Sequence, residues 1–313
     1  MSDSAGNTEV VSKLSKRHKR GKIPWIVRWL RWSFAVLNVV SPYLGARRAY
    51  RLWFTSPRFE EPAREIRWRQ SAQAFYVDHD VGSLAAYRWG EGPTVLLVHG
   101  WSGRGTQMGA FVAPLVKRGF SVVAFDAPGH GRSPGTQTNV FQVADALATV
   151  AKSIGPLKAV IAHSFGTMAT TLAIKQGLQV EKAVCLSAPL SAFYLIERFC
   201  QSLAMNRKTE LHLKSMLEKQ FGSDIWQRAA SDRHVAQSKV PALIVHDKDD
   251  LDVPWQWSEQ LAKAWPHSCF WLTQGLGHRR ILRSPEVVNA VCDYITENKI
   301  PAEAVAAHRR SPS

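Results

Sequence analysis

From residue 72 to residue 298 the apolar positions fall in short blocks whose period switches between two and about 3.6, so strand-like and helix-like stretches take turns. Gln73 to Asp78 and Leu84 to Trp89 alternate apolar with polar and predict two strands around the turn signal Asp80-Val81-Gly82-Ser83. Thr94 to Val98, Ser121 to Phe125, Ala159 to Ala162, Lys182 to Leu186, Val240 to Val245 and Cys269 to Leu272 are largely apolar and rich in β-branched residues, the form of strands covered on both faces. Between them, Thr106 to Lys117, Val140 to Ile154, Trp255 to Trp265 and Pro285 to Asn298 carry helical periodicity. Strands alternating with helices predict an α/β fold with a mostly parallel sheet.

The alternation stops between Pro189 and Lys239, where helical stretches (Ala192 to Met205, Thr209 to Gln220) predict a small cap over the sheet. The chain therefore divides into an N-terminal extension (1–70), a first core part (71–188), a cap insertion (189–239), a second core part (240–300) and a loose tail (301–313). No internal repeat is visible.

Residues 1–12 are polar and expected to be disordered. Lys13, Lys16, Arg17, Lys19, Arg20 and Lys22 then form a basic cluster, followed by Trp25 to Val40, where Trp25, Trp29, Trp32 and Val36 share one helical face and Arg28, Arg31 and Asn38 another. This predicts an amphipathic helix. A spanning helix needs roughly 20 apolar residues. The longest uncharged run, Trp32 to Ala46, has 15 and contains Pro42. Neither a transmembrane span nor an export signal is expected, and two readings stay open: an in-plane helix on an anionic membrane through residues 13–40, or a helix packed on the catalytic domain or a second subunit.

Composition adds a localised charge. The formal net charge is +15, and residues 1–70 hold 15 Lys or Arg against 5 Asp or Glu, a net +10 that leaves +5 for the other 243. No DNA- or RNA-binding motif accompanies this basicity, so nucleic acid is not the expected partner. The four cysteines are far apart, with neither the spacing of a metal site nor that of a redox pair. Reduced core thiols point to a cytoplasmic setting, with the inner face of the membrane as the peripheral variant.

The candidate chemistry centres on Ala162-His163-Ser164-Phe165-Gly166, where an apolar strand feeds a serine flanked two places away by small residues and an Ala-rich helix follows. A sharp strand-to-helix turn of this kind lifts a serine clear of the fold, where a histidine can take its proton. By itself the pentapeptide also fits a serine capping a helix. With His99-Gly100-Trp101 after a strand, Asp126-x-x-Gly129-His130-Gly131-x-Ser133, Asp250-x-x-Val253-Pro254 and Gly277-His278, all in order over residues 72–298, the chain resembles the α/β-hydrolase superfamily, in its small capped esterase and C–C hydrolase branch.

The resemblance implies an α/β-hydrolase fold and a serine hydrolase of carboxylic ester or thioester bonds in a small substrate, without metal or other cofactor. Ser164 is the expected nucleophile and His278 the base. Among Asp247, Asp249, Asp250 and Asp252 the family pattern favours Asp250 as the acid, with Asp249 second. The backbone N–H groups of Trp101 and Phe165 are the expected oxyanion donors. Two large aromatic side chains at those positions suggest a short or slender acyl group. His99, His130, His163 and Asp126 read as structural, and Arg279 and Arg280 as solvent-facing or as attractors of an anionic substrate. C–C cleavage and acyl transfer use the same residues. A membrane-docked protein that keeps the fold without turnover is the rival from another class. Oligomeric state is not legible.

Overall fold

The computed structural model describes residues 25–306, so the expected disorder of 1–12, the basic cluster and the last seven residues lie outside the described residues. Helix α1 (Trp25–Val40), α2 (Pro42–Phe54) and α3 (Ala63–Gln70) precede strands β1 (Gln73–Val77), β2 (Leu84–Trp89) and β3 (Thr94–Val98). A 3₁₀ turn (Gly105–Phe111) runs into α4 (Val112–Lys117), where the periodicity had predicted one continuous helix. Gly105 and Gly109 explain the break: a Cβ at 109 would collide with the Trp68 ring, and one at 105 would crowd Phe125.

Next come β4 (Ser121–Phe125), α5 (Val140–Ile154), β5 (Leu157–His163), α6 (Phe165–Lys175) and β6 (Val180–Leu186). The cap region holds α7 (Ala192–Ser202), α8 (Arg207–Phe221), α9 (Ile225–Arg228) and α10 (Ser231–Val235). Then β7 (Ala242–Asp247), α11 (Trp255–Ala264), β8 (Ser268–Thr273), α12 (Gly277–Arg280), α13 (Pro285–Glu297) and β9 (Val305–Ala306) complete the described chain. β9 is a difference from the loose tail expected after Pro301: Cys269 and Phe270 of β8 pair antiparallel with Ala306 and Val305.

The nine strands form one sheet in the order β1-β2-β4-β3-β5-β6-β7-β8-β9, with β3 through β8 parallel and the outer strands antiparallel. Parallel strands must be covered on both faces. Met108, Phe111 and Leu115 with Val287 and Val291 of α13 cover one side, and Val143, Leu147, Met168 and Leu172 of α5 and α6 the other. Because β3, β5, β7 and β8 run the same way in register, Val98, Ala162 and His163, and Asp247 opposite Thr273, end together at one edge. Every loop of the candidate site leaves from that edge.

The extension does not stand apart. Phe34 of α1 and Ala46 and Ala49 of α2 are buried in one cluster with Ile196, Cys200, Leu213 and Leu217 of the cap. Backbone bonds then tie it to the core: Thr138 N–H donates to Phe54 O at 2.9 Å, Ser56 N–H to Thr136 O at 3.1 Å, and Ser56 Oγ to Gly129 O at 2.6 Å. The roof over the sheet is therefore built from two chain segments separated by about 140 residues of core. Helix α1 meets this roof through the side that carries Phe34, Arg31 and Asn38. Asn38 Nδ2 donates to Ala204 O at 2.9 Å, its Oδ1 accepts from Asn206 N and Thr209 Oγ1, and Arg31 donates to Ser202 O.

Candidate active site

Ser164 stands between β5 and α6 with φ 50° and ψ −123°, a backbone conformation that costs a residue with a side chain on the order of 1–3 kcal/mol. The neighbouring structure holds it there. Ser164 N–H continues the ladder to Leu186 O at 2.9 Å, and Thr167 returns both its N–H and its hydroxyl to Ser164 O. Gly166 is required for a packing reason, since a Cβ would sit 2.5 Å from His99 O and 2.6 Å from Val98 O. The same turn tolerates Ala162, which is fully buried in the apolar cluster between sheet and α5.

His278 Nε2 lies 3.1 Å from Ser164 Oγ, and its Nδ1 lies 2.7 Å from Asp250 Oδ2. The carboxylate is fully buried while the imidazole keeps slight exposure. Burial alone would raise the Asp250 pKa, but hydrogen bonds from His246 and His278 outweigh it and hold the group far below the usual carboxylate range. Its other oxygen, Oδ1, accepts from the N–H groups of Asp252 and Val253 at 2.8 and 2.9 Å. Asp250 is thus the one of the four competing aspartates that meets His278. Asp247 accepts from Gly277 N and Thr273 Oγ1, and Asp249 accepts from Gly275 N, so both tether the loop that carries His278.

His246 went unnoticed in the sequence. It is fully buried at the end of β7, with Nε2 3.2 Å from Asp250 Oδ2 and 3.0 Å from Val253 O, and Nδ1 2.6 Å from Ser258 Oγ. The only signal available was a histidine closing an otherwise apolar strand four residues before the acid. His99, His130 and His163 have structural partners. His99 Nδ1–H donates to Gly100 O, its Nε2 accepts from Ala127 N, and His163 donates to His278 O at 2.9 Å. Desolvation lowers their pKa values, to about 4 for His99 and about 3 for His130 and His163, so they remain neutral in the fold. Buried Asp126 braces its Gly-rich turn by accepting from Gly105 N, Arg132 N and Tyr87 Oη.

The Trp101 and Phe165 rings stack edge to face at 5.0 Å beside Ser164. Among the described residues, neither of their amide N–H groups donates to another group. Two cavities meet at the serine. One, of about 290 Å³, is apolar and is walled by Trp101, Phe165, Met168, the cap residues Leu195 and Phe199, and Leu52 to Phe54 from the extension. The other, of about 450 Å³, is evenly mixed in character: Phe59, Trp101, Val253 and Leu282 line it with Arg64, Arg104, Arg279 and Arg283 and with Glu60, Glu65 and Asp252. Arg280 turns back instead to Gly275 O. No group of three or more His, Cys, Asp or Glu suited to a metal occurs among the described residues.

A sequence profile described as "Alpha/beta hydrolase family" matches residues 95–291, the segment from β3 into α13. The chain belongs to this family. It is a hydrolase, and its fold is the α/β-hydrolase fold. Lysophosphatidylserine lipase ABHD12 of Danio rerio is 25% identical over 344 residues, which cover 90% of this chain and 87% of that protein. Among solved structures, an esterase of Pyrococcus furiosus superposes with TM-score 0.60 at 18% identity, covering 77% of this chain and 97% of that one. Est1E of Butyrivibrio proteoclasticus with ferulic acid gives 0.54 at 17% (72% and 97%), and the thioesterase domain from the curacin biosynthetic pathway 0.54 at 16% (72% and 98%).

Proposed function

We propose that the enzyme hydrolyses carboxylic esters of an apolar, slender acyl group through an acyl-enzyme. The observation that carries this is the relay Asp250–His278–Ser164 opening directly onto an apolar cavity. Ser164 Oγ attacks the ester carbon while His278 Nε2 takes its proton, and the carbonyl oxygen becomes an oxyanion held by the N–H groups of Trp101 and Phe165. Asp250 fixes the tautomer and stabilises the imidazolium. The oxyanion collapses, the ester C–O bond breaks, and His278 gives its proton to the leaving alcohol. Water, deprotonated by His278, then attacks the acyl-enzyme, and Ser164 regains its proton as the acid is released.

The size and apolar lining of the cavity support a medium-length acyl chain, on the order of ten carbons, rather than an acetyl group. Trp101 and Phe165 are among the residues that line this cavity, and a slender chain is the shape that passes them. The leaving group faces the mixed cavity, whose charges of both signs accommodate a hydroxylic or zwitterionic head. Relatives named as a lysophospholipid lipase, esterases and a thioesterase support ester or thioester chemistry. Four unpaired cysteines, three of them buried, support a cytoplasmic setting.

The test is labelling by a fluorophosphonate probe with peptide mapping, followed by a p-nitrophenyl ester series from two to sixteen carbons. Modification at Ser164 alone, with a rate optimum near eight to ten carbons, is expected. Folded protein that resists the probe overturns the preformed relay, and hydrolysis confined to acetate overturns the acyl assignment.

A further inference from the structure

The hydrolase reading leaves one feature unused. Nine of the fifteen large apolar side chains exposed among the described residues lie between Trp25 and Leu44. Isolated exposed apolar residues are ordinary, but a contiguous patch of this kind marks a surface made to be covered. On α1, Trp25, Trp29 and Trp32 are 77%, 53% and 66% exposed, and Val39 is 85% exposed. The helix thus turns its tryptophan face outward, while the opposite face, with buried Phe34 and with Arg31 and Asn38 bonded to the cap, packs on the protein, so that apolar residues lie on both faces. Tyr43 and Leu44 extend the patch onto the first turn of α2.

Charge decides what covers this patch. Residues 10–59 contain twelve Lys or Arg and no acidic residue. A second copy of the chain, meeting the patch across a two-fold axis, would bring the same positive charge against itself. An anionic lipid surface neutralises it, and tryptophan is the side chain best suited to the boundary between head groups and acyl chains. We propose that the outward face of α1 and the first turn of α2 dock on an anionic phospholipid bilayer. Helix α2 gives this docking a use. Its N-terminal turn belongs to the patch and its C-terminal turn, Leu52 to Phe54, walls the acyl cavity. Ten residues from Tyr43 to Trp53 span about 15 Å, so one rigid helix holds the cavity beside the lipid. That second step, delivery of a bilayer-borne ester, rests on the hydrolase reading; the docking does not.

The experiment is flotation of the full chain with phosphatidylcholine vesicles, with and without a third of phosphatidylglycerol, at low and high salt. Turnover of a vesicle-borne ester is compared with that of a dissolved short-chain ester. Recovery with anionic vesicles at low salt is expected, falling about tenfold or more in the triple variant Trp25→Glu, Trp29→Glu, Trp32→Glu as the apolar contact is lost. The variant keeps its turnover of the dissolved ester and loses that of the vesicle-borne one. Equal flotation of the variant, no flotation of the natural chain, or a natural-chain dimer that the variant dissolves each overturns the docking. Ser164→Ala protein must float as the natural chain does. Flotation without turnover of either ester overturns delivery and the hydrolase reading while leaving the docking in place.

Discussion

The floor and the roof of the active site are built on different principles. In the floor, at the strand ends, each important group is held by directional bonds: Asp126 by Gly105, Arg132 and Tyr87, Asp247 by Thr273 and Gly277, Asp250 by Asp252, Val253, His246 and His278. In the roof, Phe34, Ala46, Ala49, Ile196, Leu213 and Leu217 meet through apolar contact, and the hydrogen bonds there, Asn38 to Ala204, Asn206 and Thr209, join helix to helix rather than hold a group at the serine. Directional bonds fix atoms to tenths of an ångström, as proton transfer demands. Apolar packing tolerates volume-conserving exchange. The arrangement of Ser164, His278 and Asp250 is therefore the rigid property of the molecule, and the shape of the apolar cavity the adjustable one.

The strongest test of this division removes the proposed nucleophile. Ser164→Ala should lower kcat on the order of a million-fold, with an unchanged or slightly raised Tm because the strained backbone keeps a small residue. Next, Asp250→Asn should cost on the order of ten-thousand-fold in kcat by presenting the wrong tautomer of His278. Asp249→Asn, which only loosens the loop at Gly275, should retain most of the activity, and an equal loss in both would contradict the pairing at 2.7 Å.

Acid should attack the floor first. His99, His130 and His163 are buried neutral with pKa values of about 4, 3 and 3, against an ordinary value of 6.5, so the unfolded chain binds more protons. Stability is then full above about pH 6.5 and falls as pH drops toward the folded values, by about 2 kcal/mol from each histidine at pH 5. Urea unfolding at pH 7 and pH 5 measures it, and His130→Asn should remove about a third of the difference. A curve flat down to pH 4 would contradict the burial. The smallest effect belongs to the roof. Trp53→Ala should lower kcat/KM for a ten-carbon ester about tenfold while changing the acetate rate little, which a chain-length series reads directly.

This division also governs what could be read from the sequence. Ser164, Asp250 and His278 follow strands at spacings set by backbone geometry, and the strands β3 to β8 were recognisable as apolar runs. Asp247 and Asp249 were visible but ambiguous, because an acid that tethers a loop and one that orients a base have the same spacing. His246 gave only a strand-terminal histidine. The acyl cavity was the least legible part, since Leu52 to Phe54 and Leu195 to Phe199 become neighbours through packing that no local pattern records. Helix α1 was found by its period, but which side faced the protein was not, because Asn38 pairs with residues 204–209 far along the chain.

The shared cluster of extension and cap has a consequence for biosynthesis. Phe34 leaves the ribosome some 160 to 180 residues ahead of its partners Ile196 to Leu217 in the cap. At roughly 5–20 residues per second, that is about 10 to 35 seconds in which Phe34, Ala46 and Ala49 lack their partners from the cap. The roof of the site is thus among the last parts of the fold to close, after the sheet strands β1 to β6 have been made.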